Sequence, residues 1–120
     1  MESILTSIKK MLGITEDYTC FDQDIIIHIN TVFMILTQLG VGPSEGFSIQ
    51  DENDIWSDFI SDVNKIESVK SYMYLKVKLL FDPPQSSSAV ESIKNLINEL
   101  EWRLNVAVDK PTEIQNGGGN

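Results

Sequence analysis

Few residues in this chain have the types and spacing that chemistry needs. Cys20 is the single cysteine and His28 the single histidine. A thiolate–imidazole pair needs the two side chains within hydrogen-bond reach. Cys20 stands before an expected helix and His28 two turns into it, which argues against such a pair. One Cys and one His cannot complete a tetrahedral zinc site. The run Asp51-Glu52-Asn53-Asp54 resembles the start of a calcium loop, but the sixth position must be glycine, and here it is Trp56. Asp58 and Asp62 are four apart and would share a helix face if the helix continues that far, the placement that paired carboxylates for acid–base work need. No histidine or cation is placed near them, so a solvated face is expected. Gly40 and Gly42 lack the Gly-Lys-Ser/Thr that completes a phosphate loop. The reading is of no enzyme: no catalytic residue, no cofactor and no metal.

Composition narrows the function further. With 120 residues the chain holds one domain and one core. Its 42% hydrophobic and 22% charged residues are ordinary for a globular protein. A lone cysteine forms no internal disulfide, so the fold must rest on packing. No apolar run approaches the roughly 20 residues that span a bilayer. Met1-Glu2-Ser3-Ile4 lacks the basic region of a secretory signal, so the protein is expected to stay where it is made. The net charge is −9. An acidic surface repels phosphate, which argues against sequence-independent grip on nucleic acid. It would still let a duplex slide past.

The elements that must position these residues are helical. Ile4, Leu5, Ile8 and Leu12 recur at three and four residues, which predicts a helix over 3–12 ended by Gly13. Lys9 and Lys10 fall in its last turn, where cations favour the helix dipole. A long helix is predicted over 22–39, with Asp22 as cap and Ile25, Ile26, Ile29, Val32, Phe33, Leu36 and Leu39 as its apolar face. Gly40-Val41-Gly42-Pro43 ends it. An irregular excursion follows, with Phe47-Ser48-Ile49 extended and a short amphipathic helix from Asp54 to about Ser61. Helices are then expected over 66–81, stopped by Asp82-Pro83-Pro84, and over 88–106, opened by a Ser88/Glu91 capping box. Glu99 and Arg103 are four apart and should pair. The segment 109–120 contains Pro111 and three glycines and is expected to be a flexible tail.

The expected fold is thus all-α: a small bundle of three main helices with short helices and one loop excursion. Residues 1–108 form a single domain and 109–120 the tail. Phe47, Trp56, Phe59 and Trp102 are the candidate interface residues, since Trp and other aromatics concentrate at contacts. Trp56 and Phe59 are expected to pin the excursion either to the core or to a partner.

Several stretches read together resemble one family. They are Leu5 to Ile14, Asp22 to Asn30, Gln38 to Pro43, Trp56 to Phe59, Val69 to Pro84 and Glu99 to Asn105. Their order is a short helix, a long helix, a loop, then a helix ending in Phe81-Asp82-Pro83-Pro84. In this the chain resembles the phage head–tail connectors, the neck adaptors of long-tailed phages, including prophage copies in Gram-positive hosts. The resemblance implies a structural protein that forms a ring beneath the portal and extends the DNA channel to the tail. It implies as partners the portal protein, tail-side neck proteins and further copies of the chain. DNA would pass without sequence-specific binding and no membrane would be involved. The protein would reside in the virion neck, and in the host cytoplasm during assembly. The competing reading is a small acidic adaptor or regulatory protein that binds another protein.

Overall fold

The apolar stripes become helices where expected, and they pack on one another because each leaves one face dry. The computed structural model describes residues 2–118, with side chains described through Ala107. The helices are α1 (Ile4–Met11), α2 (Asp22–Gln38), α3 (Trp56–Phe59), α4 (Val63–Phe81) and α5 (Ser87–Gly118). The fold is an all-α bundle, and the described residues contain no strand beyond one isolated antiparallel bridge between Ser3 and Ile55. Packing centres on α4, which contacts α2, α5 and α1, while α1 also contacts α2.

The core follows the sequence pattern. Ile4, Leu5 and Ile8 of α1 meet Ile25, Ile29, Val32, Phe33 and Leu36 of α2 and Val69, Tyr72, Met73 and Val77 of α4. Among the described residues of α5 only Ile97 and Leu104 are buried, so this part of α5 covers the core with one narrow face. Tyr72 ties α4 to α5, because its buried hydroxyl donates to Glu101 Oε2 at 2.6 Å. Burial, and then the neighbouring carboxylate, hold that phenol well above its ordinary range.

Helix ends depart from expectation where a longer-range contact takes the capping residue. Ser3 caps α1, accepting from the Thr6 N–H at 3.2 Å, and Gly13 follows with φ +84°. Asp22 does not cap α2: Phe21 holds the cap position, and the Asp22 carboxylate turns to Lys9 at 2.8 Å. Asp62 caps α4 by accepting from the Asn64 N–H at 3.0 Å, so α4 opens at Val63 rather than 66. Asp58 therefore lies on α3 and Asp62 off it, and the expected shared carboxylate face does not form. The expected helix from Asp54 to Ser61 shrinks to α3, because Ile60 is already extended. For α5 the Ser88/Glu91 box gives way to Ser86, whose Oγ accepts from the Ala89 N–H at 3.3 Å. The Glu99–Arg103 pair forms at 2.6 Å. Backbone helix continues past Val106, and the side chains of the expected tail, 109–120, lie outside the described residues.

Candidate interaction surfaces

The excursion between α2 and α4 is where the sequence placed most of its candidate contacts, and the core claims it. Trp56 and Phe59 are each 3% exposed, and Phe47 is half-buried. All three surround Phe33 of α2, with ring centroids 5.0 Å away for Phe47, 4.8 Å for Phe59 and 6.3 Å for Trp56. Tilted and edge-on aromatic pairs of this kind add to the area they bury. Polar contacts fasten the same loop. The Asn30 side chain donates to Ile49 O at 3.0 Å and accepts from the Ile49 N–H at 2.8 Å. The indole N–H of Trp56 donates to the buried Ser7 Oγ at 2.8 Å. The Ile4 N–H donates to Asp54 O at 3.0 Å, and the Trp56 N–H to Glu2 O at 3.2 Å. An excursion held in this way is part of the folded domain, and Trp56 and Phe59 face inward.

Trp102 is the reverse case. It lies on the outer face of α5, 67% exposed, with Val106 one turn further along. A second apolar face opens on α2, where Ile27 is 60% and Met34 65% exposed. Helical periodicity puts both residues on the side of α2 opposite its buried stripe, so they are legible in retrospect as apolar positions outside the buried set. A third patch gathers Tyr18, Phe21 and Phe81, with centroids 5.8 and 5.3 Å apart. His28 meets Phe81 edge-on at 6.3 Å, a packing role that accounts for it. Cys20 is exposed in the loop before α2.

One ionic contact was not foreseeable from spacing. Lys9, which the sequence places in the last turn of α1, is buried to 2% exposure. Its ammonium donates to Glu16 O at 3.0 Å and lies 2.8 Å from Asp22 Oδ1. That carboxylate oxygen is close enough for an ion pair but off the line of a hydrogen bond. Lys9 thereby joins α1, the following loop and the start of α2. The cleft beside it is edged by Glu16, Asp17, Asp22 and Glu52, so this end of the molecule is acidic. Among the described residues no group of His, Cys, Asp and Glu is placed to hold a metal ion, and no helix is long and apolar enough to cross a membrane.

A family model described as phage connector protein matches residues 4–111, a span that takes in α1 to α4 and most of α5. The chain belongs to the phage connector family. No curated protein and no solved structure matches it. Family membership makes the connector a structural component that joins head to tail, and the sites that matter in it are contact surfaces. On this connector the described surface offers acidic segments, at 13–24 and 45–62, and exposed apolar stripes on α2 and α5.

Proposed function

We propose that the chain is one subunit of a ring that sits beneath the portal and extends the DNA channel toward the tail. The observation that carries this reading is the family match over residues 4–111. The fold supports it physically. A ring subunit needs a rigid body with different faces on its two sides, so that contacts close by rotation instead of pairing two-fold. The bundle around α4, with its excursion fastened to the core, is such a body. The net charge of −9 suits a channel wall, since repelled phosphate slides rather than sticks. Portal and tail-side neck proteins are the proposed partners, and 109–120 is the proposed partner-contacting tail of a 1–108 domain. The proposed location is the virion neck, reached from the host cytoplasm, in a phage or prophage of a Gram-positive bacterium.

Complementation tests this. DNA-filled heads made without the protein should fail to join tails. Adding the purified chain should restore joining. Heads that join tails equally well without it would refute the connector reading and favour an adaptor bound to another protein.

A further inference from the structure

Two apolar stripes stay uncovered on the helices that flank α4. On α2, Ile27, Thr31 and Met34 stand at i, i+4 and i+7, one face of the helix. The Thr31 hydroxyl donates back to Ile27 O at 3.0 Å, so it presents no unpaired donor to a neighbour. No Asp, Glu, Lys or Arg occurs between Ile27 and Gln38. On α5, Trp102 and Val106 are flanked by Glu99 and Arg103, which neutralise each other at 2.6 Å.

Charge decides what can cover these stripes. Copies that each carry −9 repel one another, so they can touch only where like charges are not pressed together. One stripe has no charge and the other carries a closed ion pair. A basic partner would instead be drawn to the acidic loops at 13–24 and 45–62. An exposed Trp whose flanking charges are paired with each other is also a residue of the kind that anchors the centre of a protein contact.

Area and shape decide the mode. Trp102 alone leaves on the order of 150 Å² open. A stable interface buries about 800 Å² per partner, so each stripe has the size of a contact centre, not of a whole contact. The stripes differ in residue type, an indole beside a valine on α5 and an isoleucine, a threonine and a methionine on α2. Unlike surfaces that fit each other give a head-to-tail contact, which is the kind that closes into a ring. We infer that the Trp102–Val106 stripe of one copy packs on the Ile27–Thr31–Met34 stripe of the next. This rests on the ring reading above and names its lateral contact.

The test uses the full chain with Cys20→Ser, carrying Met34→Cys and Val106→Cys together or singly, assembled on portal-bearing heads and treated with a short bismaleimide. The double variant should give a ladder of linked subunits, and each single variant only monomer. Dimers from a single variant would overturn the inference in favour of a two-fold contact. Linkage to the portal protein, or no linkage in particles whose neck ring is visible by electron microscopy, would overturn it while leaving the ring reading intact. Absence of any ring with the wild-type chain would sink both. Independently, Met34→Glu and Trp102→Ser should keep helix content and melting behaviour yet lower incorporation into rings at least about tenfold. Incorporation at the wild-type level by both variants would overturn the inference.

Discussion

Replacing Trp56 should unfold the protein far more easily, while replacing Trp102 should not. Trp56 is 3% exposed, so nearly the whole side chain is dry. An aromatic of this size buries about 200 Å², worth about 5 kcal/mol at 25 cal/mol per Å². Alanine keeps a small part of that, which leaves a loss of about 4 kcal/mol, within the 3–5 kcal/mol range seen for Trp→Ala in cores. The indole bond to Ser7 is included in that loss. Ser7 still donates to Ile4 O at 3.0 Å, so no donor is orphaned. A domain of this length has roughly 6–18 kcal/mol of total stability, so Trp56→Ala should still fold at low temperature. Its midpoint should fall by about 12–20 °C, at roughly 3–5 °C per kcal/mol. Trp56→Phe keeps most of the packing and loses the N–H bond, about 1 kcal/mol. Trp102→Ala, at 67% exposure, should stay within about 0.5 kcal/mol of wild type. Urea unfolding followed by circular dichroism at 222 nm measures all three. A loss under about 1 kcal/mol for Trp56→Ala, or an equal loss for Trp102→Ala, would refute the inward placement of the excursion.

Three further outcomes follow from single contacts. Gly42 has φ +86°, and a Cβ there would fall against the ring of Phe59; Gly42→Ala should cost about 2 kcal/mol or more in urea unfolding, from backbone strain plus displacement of that ring. Lys9→Met should cost about 2–3 kcal/mol by the same assay, below the 3–5 kcal/mol of a fully buried pair because Asp22 keeps some solvent, and adding Asp22→Asn should recover part of it. Folding raises the affinity of Tyr72 for its proton, so the unfolded chain releases that proton first as pH rises above about 10. Stability from this group should hold below about pH 10 and decline above it, and Tyr72→Phe should flatten the decline in thermal melts taken across that range.

How much was legible in the sequence depended on how far apart the partners are. Each main helix came from a stripe of apolar residues on its own segment, so α1, α2, α4 and the start of α5 were readable to within a few residues. Pro83 and Gly40 marked ends that no distant contact could move. Caps were less secure, because Asp22 and Ser88 each had a competitor: Lys9 claimed the first, and Ser86 displaced the second. Amphipathic spacing also left open which way Trp56 and Phe59 would face. Their direction is set by Phe33 and Ser7, far away along the chain, and by the Asn30–Ile49 bonds. Lys9 shows the same limit, since a lysine in a last turn looks solvated until the loop after it folds over. Trp102 was placed among the candidate contacts on residue type alone, and its exposure leaves it available for that role.

The most direct measurement is electron cryomicroscopy of the neck in assembled particles, at a resolution that separates helices. The expected result is a ring of this helical fold directly beneath the portal, coaxial with the DNA channel. A neck whose density contains no copy of the fold, or copies placed singly and off the channel axis, would contradict it.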